Sequence, residues 1–257
     1  MAKRPGLNAL FLIGGFLLST WVLIGPGYAA SDQRSLTVHP FRTLGMEARN
    51  TSIASNGDLR IDPPLPDSLH ILAIRVDFQS DTLETTTGDG SFFLALPDSI
   101  EPEDWLIDPP PHNREYFEDQ LLAMKNYFQR FSHGKLTITG DVYPASMDSA
   151  YTMPYPIWHI NYGNDDNARL NRTLTELFID AWSIADTIPD YGLMAEGVDF
   201  TDYDLFLIFH AGAGNEFDTG FDTTPHDIPS VYIGPEDLRE YGGLEGGAIP
   251  LRGGQFL

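Results

Sequence analysis

The sequence predicts an α/β fold, with α+β as the alternative, from three observations. Residues 205–209 form an apolar run that ends at a Gly-x-Gly, which is typical of a strand buried on both faces. Two other segments alternate with a period of two, and two longer segments repeat apolar residues every three or four positions. The resulting order of strand, helix, strand, helix and strand is typical of helices layered on a mixed sheet.

The first two elements are predicted from their periodicity. Residues 70–78 alternate as a strand, with Arg75 and Asp77 on the face opposite to the large apolar side chains. Residues 113–131 predict a helix that Asn113 caps and that ends at a left-handed turn over residues 133–134. The apolar stripe of this helix predicts a core-facing surface and comprises Phe117, Leu121, Met124, Phe128 and Phe131.

The later elements follow from the same patterns. Residues 135–142 predict a half-buried strand, and the stretch 143–165 is too rich in proline to be regular, so we expect an ordered loop. Residues 166–188 predict the second helix, and residues 230–233 a short strand. Pro235 then opens a helical turn at the first helical position.

The N-terminus predicts export. Residues 1–29 combine Lys3 and Arg4, an apolar stretch and small residues before a cleavage point after Ala29, as in a signal peptide, although an uncleaved membrane anchor is the alternative. Residues 30–68 are polar and predict a linker or propeptide remnant, and residues 69–257 predict one domain. We therefore expect a secreted or extracytoplasmic monomer that has no stable membrane association after cleavage and, since cysteine is absent, no disulfides.

Composition narrows the range of partners. The chain is 42% hydrophobic, which excludes disorder throughout. Its formal net charge of −22 repels nucleic acid phosphates and favours cations, so we expect no nucleic acid partner.

A candidate site follows the central strand, because sites in open α/β sheets lie where such strands end. The candidate rim of a cleft comprises His210, Gly212, Gly214, Asn215 and Glu216. The alternatives for His210 are a neighbour of a metal site or, equally, an ordinary residue at a strand end. A dinucleotide site is disfavoured, since Phe217 replaces the third glycine of that fingerprint.

A calcium site is a second possibility in the same region. Asp218, Asp222 and Asp227 offer the hard oxygen ligands that calcium prefers, but their spacing is not that of an EF-hand. A solvated acidic loop is the alternative interpretation of these residues.

Four segments carry a resemblance to one known family. They are His112-Asn-Arg-Glu-Tyr-Phe-Glu-Asp-Gln, Asn126-Tyr-Phe-Gln-Arg-Phe-Ser-His-Gly-Lys-Leu, Asp204-Leu-Phe-Leu-Ile-Phe-His-Ala-Gly-Ala-Gly-Asn-Glu and Asp227-Ile-Pro-Ser. Through these segments the sequence resembles, over roughly residues 69–241, the immune inhibitor A family of secreted zinc metallopeptidases. The resemblance implies a zincin-like mixed sheet with flanking helices, a protein or peptide substrate, and hydrolysis by zinc-activated water on a His-Glu-x-x-His helix.

The sequence departs from that family at the catalytic motif. None of its seven histidines precedes a glutamate, and no two of them lie four positions apart. In the family the zinc helix follows the segment that matches residues 227–247. We therefore expect an incomplete domain, the front part of a metallopeptidase, with no catalytic or zinc-binding residue in this chain and no activity of its own. The alternative is a secreted, non-catalytic module that binds calcium or a protein partner through its acidic, glycine-rich loop.

Overall fold

The computed structural model describes residues 10–14, 67–96, 109–161, 167–215 and 224–257. Within these ranges the chain is mixed α/β, with a small, mainly parallel sheet and few helices, as the sequence predicts. The strands are β1 Leu10–Gly14, β2 Ser68–Asp77, β3 Thr137–Tyr143, β4 Tyr151–Thr152, β5 Leu205–His210 and β6 Val231–Tyr232, and the helices are α1 Arg114–Phe131, α2 Asn167–Thr187 and α3 Pro235–Glu240.

The sheet is built around β2 and β5, which are parallel neighbours. The strand order is β3-β2-β5-β1-β6, and β4 pairs with the carboxyl end of β2. All these pairings are parallel except that of β6, which runs antiparallel to β1. The register places Ile71 opposite Leu205 and Val76 opposite His210. The carboxyl ends of β2 and β5 therefore meet at one edge of the sheet.

Helices cover both faces of the sheet. On one face, Phe117 and Leu121 of α1 pack against Leu207 and Phe209 of β5. On the other face, α2 and α3 pack against alternate residues of the same strands, with Trp182 fully buried in this larger cluster. The apolar run of β5 is therefore buried on both faces, as predicted.

The ends of α1 follow the predicted signals. The Asn113 side chain accepts a hydrogen bond from the backbone N–H of Tyr116, at 3.2 Å. His133 and Gly134 have φ angles of 54° and 77°, so both adopt the left-handed conformation that stops the helix. The prediction of this helix is confirmed at both ends.

The predicted apolar stripe of α1 is wrong at its carboxyl end. Phe117 and Leu121 are buried, but Phe128 is 39% exposed and Phe131 is 55% exposed. The aromatic rings at this end pack on Tyr127 of their own helix, with Tyr127 and Phe131 centroids 4.3 Å apart. Periodicity showed the apolar face correctly but could not show how far the sheet extends beneath it.

Arg75 lies in the interior. It is 1% exposed, and its guanidinium donates hydrogen bonds to the carbonyl oxygens of Pro144, Ser146 and Met147 at 2.9, 2.5 and 2.8 Å. Burial lowers the pKa of Arg75 to about 10, and nearby Arg114 lowers it further. The face of β2 that carries its polar residues is therefore covered, and a buried arginine fixes the loop after β3.

The loop over residues 143–161 is ordered and packed, as expected. It also contains β4 and a 3₁₀ turn at Ile157–His159, which the sequence did not predict because prolines interrupt any period. Tyr151 of β4 is fully buried and its hydroxyl donates to the carbonyl oxygen of Tyr191. This loop therefore belongs to the core.

The predicted N-terminal segments are only partly described. Leu10–Gly14, within the predicted signal peptide, forms β1 in the sheet. The remainder of residues 1–29 and residues 30–66 of the predicted linker lie outside the described residues. Among the described helices, none is both long and apolar enough to cross a membrane. Cleavage and export remain predictions.

Candidate functional site at the carboxyl edge of the sheet

The predicted rim residues follow β5 at the carboxyl edge of the sheet. The chain leaves β5 through Ala211, whose N–H donates to the carbonyl oxygen of Val76 at 3.0 Å. Neighbouring connections cover this edge: Met153 N–H donates to the carbonyl of Asp77, and Gln79 N–H donates to that of Tyr155. The edge is therefore a packed meeting point of several loops.

His210 is buried at this edge. The residue is 3% exposed, its ring lies edge-on to Phe78 with centroids 6.5 Å apart, and Nδ1 is 3.0 Å from the carbonyl oxygen of Ala211. The imidazole therefore faces the protein interior, and solvent does not reach it directly.

Gly212 is placed where a side chain would not fit. Its φ of 89° lies in the left-handed region, and a Cβ there would lie 3.0 Å from Cδ1 of Ile157 and 3.1 Å from the carbonyl oxygen of Thr87. Gly214 and Asn215 then pair with the chain at Ile228, through a parallel bridge and a 3.1 Å bond from Asn215 N–H to the Ile228 carbonyl. The glycine-rich loop is thus held closely on both sides.

Asp227 is a hydrogen-bond acceptor in a joint between two loops. It is 2% exposed, and its carboxylate accepts bonds from Thr87 N–H, Thr87 Oγ1 and Thr224 Oγ1, each at 2.7 Å. Asn161 Nδ2 donates to the carbonyl oxygens of Asp227 and Pro225 at 2.8 and 3.1 Å. We call Thr87, Asn161, Thr224 and Asp227 the Asp227 clamp.

This geometry constrains the predicted calcium site at Asp227. A calcium ion on Asp227 would have to replace hydrogen bonds that both carboxylate oxygens already accept. Asp218, Asp222 and the predicted rim residue Glu216 lie outside the described residues.

Asp77 is the least satisfied carboxylate at this edge. It ends β2, and its Oδ1 is buried without a hydrogen-bond partner among the described residues. Burial raises the pKa of Asp77, and a hydrogen bond with the Thr152 side chain partly offsets the rise. Before the structure was known, only its position at a strand end distinguished this carboxylate.

A second polar group lies toward the amino ends of β2 and β5. His70 Nε2 is 3.1 Å from Asp141 Oδ2, and the Tyr203 hydroxyl donates to the same oxygen at 2.9 Å. The rings of His70 and Tyr203 stack with centroids 4.5 Å apart. Burial raises the pKa of Tyr203, and Asp141 raises it further. Sequence reasoning missed this group because its members are far apart in the chain.

The described residues do not form a metal site. No group of three or more histidine, aspartate or glutamate side chains in these ranges is arranged to hold a metal ion. A catalytic zinc commonly takes three protein ligands, so the described residues do not fit one.

Comparison with known proteins does not refine the assignment beyond the fold class. The structure defines a mixed α/β protein with a mainly parallel sheet. The comparisons of the chain with protein-family models, with curated proteins and with solved structures each give no match.

Proposed function

We propose that this chain supplies the sheet and one wall of the substrate cleft in an exported metallopeptidase of the immune inhibitor A type. The supporting observation is that the segments carrying the resemblance lie together in space although they are dispersed along the chain. Phe117, in the first segment, packs on Phe209, in the third, with ring centroids 4.6 Å apart. The third segment in turn pairs with the fourth through Gly214 and Ile228.

This contiguity supports the resemblance on physical grounds. The segments form parts of one packed unit, as the parts of a common scaffold would. The second segment belongs to α1 and its stop, and Ser132 Oγ accepts a bond from Leu136 N–H at 2.9 Å, which leads the chain into β3. The four segments therefore include most of α1, all of β5 and the joint beside β5.

The proposed contribution of the chain to function is to bind a peptide. β6 is the last strand in the sheet order and, among the described strands, pairs only with β1, but the fully buried Ile233 that follows it also anchors it to the core. An edge strand can bind an extended peptide through its backbone N–H and C=O groups. The described residues provide no zinc ligand set, so we assign them no step of hydrolysis.

Zinc retention and proteolysis test this assignment. The purified 257-residue chain, stripped of metal and given one equivalent of zinc, should retain no zinc after desalting and should not cleave casein. Elemental analysis and gel assays with and without chelator measure both properties. Stoichiometric zinc together with chelator-sensitive cleavage would show that the catalytic residues lie within this chain.

The coding sequence beyond the codon for Leu257 separates the two functional classes. A His-Glu-x-x-His within the next several dozen codons is expected for the metallopeptidase, and a product that includes it should bind zinc and cleave casein. An immediate stop codon would overturn the metallopeptidase proposal and favour the non-catalytic binding module.

A further inference from the structure

Among the described strands, β6 is connected to the sheet only through β1. β5 pairs with β2 along one side and with β1 along the other, over five positions from Leu10 opposite Leu205 to Gly14 opposite Phe209. β6 pairs with β1 through Leu12 opposite Tyr232 and Ile13 opposite Val231. A position one strand wide therefore separates β5 from β6, and we call it the β5–β6 groove.

The walls of this groove are anchored by contacts of their own. The side chains of β5 from Phe206 to Phe209 are buried against the helices on both faces. β6 continues into Ile233, which is fully buried, and Gly234 N–H donates to Asp237 Oδ2 at the start of α3 at 2.8 Å. Both walls therefore have contacts with the core in addition to their pairing with β1.

The strand in the groove comes from the segment with the features of a removable leader. Its sequence, Leu-Phe-Leu-Ile-Gly, is uncharged, and Lys3 and Arg4 precede it. Removal of residues 1–29 would open the inner side of β5, and with it a row of backbone N–H and C=O groups beside an apolar strand. An open edge of this kind is a template for pairing with another chain.

We propose that the β5–β6 groove is a strand-acceptor site, which in the chain lacking residues 1–29 binds an extended apolar segment of a partner protein parallel to β5. Backbone pairing over about five residues supplies the affinity in such strand addition, and the apolar groove selects uncharged side chains. The net charge of −22 favours partner segments with basic flanks, like the flank of β1 itself. This proposal goes beyond the peptidase proposal and does not depend on it.

Strand exchange in the folded full chain tests the proposal. A protease site inserted between Ala30 and Ser31 allows residues 1–30 to be cut from the chain after folding. A fluorescent peptide with the sequence of residues 8–16 and lysine flanks is then added in excess. We expect the peptide to replace the cut fragment, seen by fluorescence anisotropy and gel filtration, and to protect the amides of β5 and β6 from hydrogen exchange.

The matched control is the same peptide with Leu12→Pro. Proline removes a backbone donor and cannot continue a central ladder, so this peptide should bind about tenfold or more weakly. Equal binding of the two peptides would show non-specific apolar contact and would overturn the proposal.

Two further outcomes would also overturn it. The first is that the cut chain, separated from residues 1–30, keeps the amides of β5 and β6 as protected as in the uncut chain. The second concerns a cut chain that aggregates. If cutting causes aggregation, peptide present during the cut should keep the chain in solution. Aggregation in the presence of the peptide would show that the groove does not accept a strand. None of these outcomes depends on zinc or on proteolysis, so the two proposals can fail separately.

Discussion

The guanidinium of Arg75 illustrates how single residues hold this protein together. A buried cation normally requires an anion, but three backbone carbonyls of one loop surround this one. Each of these carbonyls accepts a hydrogen bond from a charged donor. The guanidinium therefore provides hydrogen bonds to loop carbonyls that do not pair within the sheet. The side chain therefore links the carboxyl end of β2 to the chain leaving β3.

Replacement of Arg75 should destabilise the fold strongly. Arg75→Met retains an apolar stem but leaves carbonyls at Pro144, Ser146 and Met147 without this donor, at about 1–3 kcal/mol for each group that stays buried. We expect a loss of about 3 kcal/mol or more in the free energy of unfolding, measured with urea. Arg114→Met, which removes one such bond to Ala145 and a partly exposed ion pair with Glu118, should cost less. Equal losses would contradict the central role of Arg75.

Asp77 should make stability depend on pH. Because burial raises its pKa in the folded state above the usual value of about 3.9, the folded chain binds the proton more tightly than the unfolded chain. This contribution therefore destabilises the fold increasingly as pH rises through the interval between those two pKa values. Asp77→Asn should flatten the decline, seen as a smaller change in urea midpoint across pH 4–7.

Thr152→Val provides a control with the opposite sign. It removes the hydrogen bond that lowers the pKa of Asp77, so the decline of stability with pH should become steeper. Parallel pH profiles for both variants and the parent chain would show that Asp77 does not carry the effect.

At the scale of elements, periodicity predicted what depends on near neighbours in the chain. The extents of α1, α2 and β5 follow from side chains three or four positions apart, or from one continuous apolar run. The exposure of Phe131 could not be predicted, because it depends on where the sheet ends beneath α1. The same limit applies to β1, since one apolar run can serve as a leader or as a strand.

The candidate site also combines features that the local sequence predicts with features that only the tertiary fold determines. The position of residues 210–215 at the end of a central strand could be predicted, because β5 itself is recognisable. The role of Asp227 could not, since its partner Thr87 lies 140 positions away and nothing local connects them. Buried hydrogen-bond joints between loops require the tertiary fold to be known.

The Asp227 clamp should stabilise the two loops that it joins without calcium. Asp227→Asn replaces an ionised acceptor by an amide that cannot accept at both positions, so bonds from Thr87 or Thr224 are lost. We expect a loss of about 2 kcal/mol in the free energy of unfolding. Thermal melts in chelator should show the full loss.

Melts in millimolar calcium separate this role from metal binding. If the clamp acts alone, calcium should raise the melting temperatures of the parent chain and of Asp227→Asn by the same amount, or should change neither. A calcium-dependent rise in the parent chain that Asp227→Asn abolishes would instead support Asp227 as a calcium ligand.

At the scale of the whole molecule, net charge opposes the fold. A formal charge of −22 on 257 residues produces self-repulsion that compact structure intensifies. This repulsion acts over the screening distance, which falls from about 30 Å at 0.01 M salt to about 8 Å at 0.15 M.

Added sodium chloride should therefore stabilise the chain at neutral pH. We expect the midpoint of urea unfolding to rise over this salt range while the dependence of the unfolding free energy on urea concentration stays the same. The same salt series near pH 4.4, the isoelectric point of the sequence, should give a much smaller rise. A rise of the same size at both pH values would point to an effect of salt on solvent instead of charge repulsion.

The pairing of β1 with β5 joins two segments that the ribosome makes at widely separated times. Roughly two hundred residues separate Leu10 from Leu205, and a ribosome adding about 5–20 residues per second needs about 10–40 s to make them. During that interval the first strand has emerged and its partner does not yet exist. A targeting factor that recognises nascent apolar segments thus has a long period in which to bind residues 10–14. Whether β1 enters the sheet in a cell therefore depends on the rate of that binding relative to the rate of translation.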